Sequence, residues 1–458
     1  MNNASLELGG TNWAEKDGNI LGYSVGDTSG KYSPQEFTFA RGSNLSATRI
    51  DRAGLIVKGR ENVVTYSNDF SNSAWAKYLI SSTSGQSGYD GTLDAWLIER
   101  SGAFGNVYRN LSISGVFTWS VYAKAGSYDF LALRYRNASN QYRSAFFDLS
   151  NGTLGSVDTN LIKHTIEDVG GGWYRCSIVF NDSAANQVMI YPSDVNNGIG
   201  NSGTGNILIQ DAQLEQGLAA SPYIPTTTTT AQAGVLENTP RLNYTTGVAN
   251  PYLLLEPSRT NVMANSEYFG GYNIAQMSLE YNYAVSPEGV QNATRLIENT
   301  AAGTAHSVSI ATATNGTEYA LSVYAKPNGR DFIYMYVGGG PGTGTIINIV
   351  NGIKGNNIGN APNDTIIEPV GNGWFRCTIL FNSIAGSPTP TIGLANSLTS
   401  FTYTGDGTSG VLIYGIQLEA GSYPTSYIPT YSVSATRAQG VCNKADASGE
   451  INSTEGVF

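Results

Sequence analysis

Charge is scarce in this 458-residue sequence: Lys+Arg number 25 and Asp+Glu 35, so only 13% of residues are charged and the formal net charge is −10. An ordinary soluble domain carries roughly twice that share. Ala, Glu, Lys and Leu at helical spacing are missing, which excludes a coiled coil or helical bundle. The acidic balance excludes a general phosphate-tracking surface, so no nucleic-acid partner is expected. Two histidines, His164 and His306, leave little material for imidazole catalysis or a zinc site. Three cysteines, Cys176, Cys377 and Cys442, are too few and too odd for a disulfide framework and fit synthesis in a reducing compartment. No apolar run approaches the ~18 residues of a membrane span; the longest, such as Leu131–Leu133 and Tyr252–Leu255, are strand-sized. No membrane insertion is expected. The opening Met1-Asn2-Asn3-Ala4-Ser5 lacks the basic and apolar regions of a Sec signal.

Glycine (54), tyrosine (28) and a 41% hydrophobic, 11% aromatic content are what the chain has in quantity. A disordered chain would lack the last two. The composition is that of a turn-rich β protein, and the length fits two to three domains.

Self-similarity gives the organisation. Ser120-Val121-Tyr122-Ala123-Lys124 recurs as Ser322-Val323-Tyr324-Ala325-Lys326, an offset of 202. Gly172-Trp173-Tyr174-Arg175-Cys176 recurs as Gly373-Trp374-Phe375-Arg376-Cys377 at 201. Ala212-Gln213-Leu214-Glu215 and Tyr223-Ile224-Pro225 recur at 204 as Ile416-Gln417-Leu418-Glu419 and Tyr427-Ile428-Pro429. Asn62-Val63-Val64 with Asp69-Phe70 is echoed by Asn261-Val262-Met263 with Tyr268-Phe269. The chain is a tandem duplication of a unit of about 165 residues.

Each unit alternates with period two. Trp119, Val121 and Ala123 oppose Ser120 and Tyr122; Leu131, Leu133 and Tyr135 oppose Ala132 and Arg134; Tyr174, Cys176, Ile178 and Phe180 oppose Trp173, Arg175, Ser177 and Val179. The Cys176 set reads as the core face. Short strands with Gly- and Asn-rich turns predict an all-β chain of tandem β-sandwich (jelly-roll) modules. The expected boundaries are an N-terminal attachment region with a small β element over 1–60, module 1 over 61–225, an extended Thr-rich linker over 226–260, module 2 over 261–430 and a C-terminal extension over 431–458.

These motifs resemble a module common in bacteriophage tail and fibre proteins, itself similar to jelly-roll carbohydrate-binding modules. The closing stretch Gly415–Thr430 carries the resemblance best. Phe37–Val57, with Phe37-Thr38-Phe39-Ala40-Arg41 and Ala47-Thr48-Arg49-Ile50-Asp51, also matches such proteins, as does Pro240–Asn261. The resemblance covers most of residues 35–437. It implies a virion appendage, of tail or head, that adheres to host-surface polysaccharide. It also implies a homotrimer, docking of the N-terminal region to other virion proteins, and a further lectin-like β domain after Ile451–Phe458. The alternatives are a structural virion protein that binds no sugar, and the non-catalytic part of a polysaccharide depolymerase.

Candidate sugar-binding residues follow from their chemistry. Trp173 and Trp374 offer rings for a pyranose face, although beside a Gly-rich turn they also suit covering a sandwich edge. Tyr122, Lys124, Arg134 and Tyr135, with Tyr324, Lys326, Tyr334 and Tyr336 in the second unit, place rings and cations on two strands expected to be neighbours. Ordinary cross-strand pairing is the plainer alternative. Arg134 has an apolar counterpart near Ile333–Met335, so the two units are not expected to bind alike. The resemblance also implies a structural calcium ion, with Asp211 and Asp69 as its carboxylates; Gly415 stands at the Asp211 position in the second unit. Catalysis has little support, and no enzymatic activity is expected. No paired carboxylates recur as a dyad, and no nucleophile elbow, phosphate loop or zinc spacing occurs.

Overall fold

The computed structural model describes residues 13–16, 19–23, 38–201, 203–237, 239–245, 251–310, 312, 318–339, 342–382 and 388–443. They are almost wholly β, with one 3-10 turn at Asn44–Ser46. Among them no helix is long and apolar enough to cross a membrane.

The chain divides into two compact units, Arg60–Ala233 and a second made of 1–59 with 234–458. In the first unit two long antiparallel strands, Asn106–Ala125 and Trp173–Ser193, pair from Val107↔Ile190 to Lys124↔Trp173. Their register slips between Asn110 and Gly115, and there both strands pass from one sheet of the sandwich to the other. Beyond the slip, one sheet continues through Gly205–Gln216, Ala95–Arg100 and Ile80–Gln86 on one side and Lys163–Gly170 on the other. The other sheet continues through Phe130–Asn137, Tyr142–Asp148 and Thr153–Val157. The expected core face lies between them: Trp119, Val121, Leu131, Leu133, Cys176, Ile178 and Phe180 form one buried cluster.

The second module is the same sandwich with its sheets separate. Each has six antiparallel strands, with Glu318–Asn328 between Gly410–Ala420 and Trp374–Asn382 in one, and Phe332–Gly338 between Thr389–Ala395 and Thr343–Asn348 in the other. Val323, Ile333, Met335, Cys377 and Ile379 fill the space between them. Neighbouring strands are mostly not consecutive in sequence, which is the jelly-roll pattern.

The expected boundaries need two corrections. Residues 38–59 are not a separate attachment region. Thr48–Ile50 and Ile56–Lys58 form a hairpin, and Ile56 and Ile50 pack on Tyr324, Trp374, Leu412, Tyr414 and Tyr427 of the second module. Thr38–Ala40 pairs with Val441–Asn443, and the Thr48 hydroxyl donates to the Tyr427 carbonyl at 2.6 Å. Nor is 226–260 a free spacer. Ala231–Ala233 pairs with Arg60–Asn62 in the first unit, while Arg241 and Asn243 bond to Thr48 and Ile50 in the second. The expected disposition of Phe37 and of residues 444–458 lies outside the described residues.

Candidate functional site

The motifs that made the duplication visible turn out to be fasteners. Glu215 accepts the Ser221 N–H (2.7 Å) and hydroxyl (2.6 Å), and Glu419 accepts the same pair from Thr425 (2.8 and 2.6 Å). Gln213 and Gln417 accept the N–H groups of Ile224 and Ile428, both at 2.7 Å. Asn62 and Asn261 donate to the same two turns at 2.9 Å. Lys124 and Lys326 each donate, at 2.7 Å, to a carbonyl of the Gly-rich turn before the tryptophan, Gly171 and Asn372 respectively. The glutamates, glutamines and asparagines satisfy polar groups of the turns that would otherwise be buried unpaired, whereas the two lysines bond to exposed turn carbonyls.

The candidate aromatics are correspondingly buried, which corrects the sugar-stacking expectation for most of them. Trp173 is 3% exposed and Trp374 2%. Trp173 packs with Tyr122 and Ala95, and Tyr122 is covered by Tyr89, whose ring stacks on it at 3.9 Å. Trp374 and Tyr324 lie under the 48–58 hairpin. Tyr135 faces the core and stacks on Phe180 at 4.1 Å. Tyr334 is buried beside Ile346 and Ala395. The two strands expected to be neighbours are not. Asn106–Ala125 and Phe130–Asn137 pair with opposite edges of Trp173–Ser193, so Tyr122 and Arg134 lie on the outer faces of opposite sheets. Tyr324 and Tyr334 are separated in the same way.

Two of the expected group line open clefts of about 330 Å³: Tyr324, buried at the floor of one beside Glu368 and Arg376, and Arg134, which sits beside an exposed tyrosine in the other. A cleft of about 330 Å³ on the first module is lined by Arg134, Tyr142, Ser144, Phe146, Ser156, Val157, Asp158, Asn197 and Ile199. Arg134 pairs with Ser144 across one strand and Met189 across the other, which brings the Arg134, Tyr142 and Tyr191 side chains to one face. The guanidinium lies 4.1 Å from the Tyr142 ring centre and 5.9 Å from that of Tyr191, within cation–π range. Tyr142 is 38% exposed. Burial raises the Tyr191 phenol, and the Arg134 charge partly offsets it. Asp158 closes one wall. Burial pushes its carboxyl up, but the Asn160 N–H and amide at 2.9 and 2.8 Å, with Arg143 at 3.5 Å, outweigh that and hold it below the usual carboxylate range.

Strand register also corrects the expected counterpart of Arg134. Phe130 pairs with Asp148 as Phe332 pairs with Asn348, so Arg134 corresponds to Tyr336 and Tyr142 to Gly342. In the second module the Tyr336 ring lies against Gly342 so closely that a Cβ there would overlap it. Tyr191 corresponds to Gly393, whose missing side chain leaves room for the ring of Tyr334. The second module therefore fills with its own tyrosines the space that the first leaves as a cleft. Sequence reasoning missed Tyr142, Asp158 and Asn197. The signal available was a difference between the repeats, and likeness was the criterion applied.

The two expected calcium carboxylates are each engaged by neighbouring donors. Asp69 accepts the N–H and hydroxyl of Ser71 and closes its own turn. Asp211 accepts the Tyr89 hydroxyl at 2.9 Å. Calcium takes six to eight oxygens, and among the described residues no three His, Cys, Asp or Glu side chains are grouped to hold a metal. Backbone geometry accounts for the Asp211/Gly415 exchange. Both residues sit at a strand irregularity with φ of 55° and 62°, a left-handed conformation open chiefly to Gly, Asn and Asp.

Burial pushes the Asp211 carboxyl up to about 6, against the hydroxyls of Tyr89 and Tyr223 that hold it down. A carboxyl raised in the folded state penalises folding above that pH, and the penalty disappears as pH falls towards the unfolded value of about 4. Asp211→Asn keeps the backbone preference and removes the charge. It is expected to stabilise the first unit by about 2–3 kcal/mol at pH 7 and by little near pH 4. Denaturation midpoints at the two pH values check this; an equal change at both contradicts it.

No known protein family matches the sequence, and no curated protein does. Among solved structures, the chain is similar to a tandem pair of family 22 carbohydrate-binding modules from Paenibacillus barcinonensis, at 8% identity, 83% coverage of this chain, 100% of that chain and a TM-score of 0.25. It is also similar to tandem family 51 carbohydrate-binding modules of a family 98 glycoside hydrolase from Streptococcus pneumoniae, at 8% identity, 84% and 100% coverage and a TM-score of 0.18. Similarity this low assigns neither ligand nor activity to the present chain.

Proposed function

We propose that this chain is a non-enzymatic glycan-binding protein whose first module holds polysaccharide in the Arg134–Tyr142 cleft, while the second module serves as scaffold. The observation that carries this reading is the contrast between the repeats at matched register: fasteners are kept, while Arg134, Tyr142 and Tyr191 are replaced by Tyr336, Gly342 and Gly393. An exposed tyrosine, a fixed guanidinium, two serines and an asparagine around an open cleft suit a hydroxyl-rich ligand, because flat rings pack on sugar faces and fixed polar groups orient hydroxyls.

The sequence motifs support a place on a bacteriophage virion, in a tail or head fibre that touches host-surface polysaccharide. In a homotrimeric appendage, shallow sites that are individually weak gain avidity from repetition. The filling of the matched space by Tyr334 and Tyr336 favours, for the second module, the alternative of a purely structural role. The test is retardation of the full chain in native gels cast with soluble polysaccharides, bacterial surface polymers included. Retardation by at least one polymer, abolished in a variant carrying both Arg134→Gln and Tyr142→Ala, is expected. Retardation that survives both changes overturns the assignment.

A further inference from the structure

We infer that the ligand of this cleft is an anionic polysaccharide whose carboxylate pairs with Arg134. The inference rests on the glycan-binding reading above and names the chemical class of the sugar.

Two cations, Arg134 and Arg136, share this sheet face, and a third, Arg143, pairs with Tyr135 on the opposite face. Arg143 is matched by Asp158 at 3.5 Å. Arg136 donates Nε to the neutral Asn186 at 3.1 Å. Arg134 has no carboxylate partner among the described residues, and its buried Nε has no hydrogen-bond partner. The rings of Tyr142 and Tyr191 lie within cation–π range of the guanidinium without neutralising it. The result is a local surplus of positive charge on a chain with formal charge −10. A surplus of that sign runs against the rest of the surface and calls for an anion from outside.

The second module shows the surplus is dispensable for folding. At the same register positions it has Tyr336, Gly338 and Thr343, so all three cations are lost together with the cleft. Asn348 stands in the place of Asp148, at the far end of the same strand. A guanidinium without a carboxylate partner among the described residues matches a carboxylate through two parallel N–H···O bonds. The neighbouring Tyr142 ring then meets the sugar face from which that carboxylate projects. A uronate, with its carboxylate on the ring's own carbon skeleton, meets both demands with one residue of the polymer.

The experiment uses the full chain and three polyuronates, polygalacturonate, alginate and hyaluronate, each beside its carboxyl-reduced neutral form, with dextran sulfate against dextran as a control for other anions. At moderate ionic strength at least one polyuronate is expected to bind 10-fold or more tighter than its reduced form. Arg134→Gln should bring that ratio close to one, whereas Tyr142→Ala weakens both forms alike. Added salt should weaken the charged polymer only. Equal binding of charged and reduced polymers by the unaltered chain overturns the uronate inference while leaving glycan binding intact. Dextran sulfate bound as well as the polyuronates, and insensitive to Arg134→Gln, overturns it as non-specific anion binding. Absence of binding to all three polyuronates, with retention on a neutral polymer, overturns it as well.

Discussion

Lys58→Met is expected to lower the unfolding free energy of the unit that contains the second module by about 3–5 kcal/mol, the scale for removing one member of a buried ion pair. Lys58 is 3% exposed and its ammonium lies 2.7 Å from Glu267 and 2.9 Å from Glu288, both buried. It also donates to the Tyr431 hydroxyl at 2.8 Å. Tyr414 and Tyr427 donate to Glu267 at 3.2 and 3.0 Å, and Tyr414 and Asn292 donate to Glu288 at 2.8 and 2.9 Å. One cation thus serves two carboxylates in a space closed by tyrosines. Methionine fills the volume of the lysine stem but leaves both carboxylates without a counter-charge. Adding Glu267→Gln and Glu288→Gln to Lys58→Met removes the stranded charges and should restore much of the loss. Urea denaturation of the unaltered chain and the two variants decides the matter. A cost below about 1 kcal/mol for Lys58→Met, the scale of an exposed pair, contradicts the account.

Tyr142→Ala is expected to weaken polysaccharide binding about 10- to 100-fold, or about 1.4–2.8 kcal/mol. Its effect on folding should stay within about 0.5 kcal/mol, because an exposed ring outside the core has little packing to lose. The converse substitution is as informative. Trp173→Phe perturbs a buried residue under the Tyr89 loop and should lower the denaturation midpoint while leaving affinity unchanged. Titration calorimetry with the polymer that best retards the chain, paired with denaturation curves, separates the two effects. A large affinity loss in Trp173→Phe at preserved stability would return the site to the tryptophan that first suggests itself in the sequence.

The β architecture and the duplication were legible because each strand alternates and because the turn fasteners recur in order. The alternation of Trp173–Phe180 correctly put Cys176, Ile178 and Phe180 in the core. It could not show that the opposite face is also covered. Tyr122 and Trp173 point away from the main core, and Tyr89 from a distant loop closes over them. In the second module the covering comes from residues 50–56, more than two hundred positions upstream. Period-two patterning distinguishes two faces of a strand but not which loop lies above either. Strand adjacency failed for a related reason. In a jelly roll, consecutive strands such as Asn106–Ala125 and Phe130–Asn137 belong largely to different sheets, and turn lengths alone do not reveal the crossover. Arg134 was found by chemistry, and its neighbours Tyr142 and Asp158 required the register.

The distinction between shared fasteners and a cleft peculiar to the first module is open to one direct measurement. Polymer affinity is compared in the intact chain for Arg134→Gln with Tyr142→Ala, and for Tyr336→Ala at the matched position of the second module. The account predicts that binding is lost in the first variant and unchanged in the second. Unchanged binding in the first, or lost binding in the second with the fold intact, would contradict it.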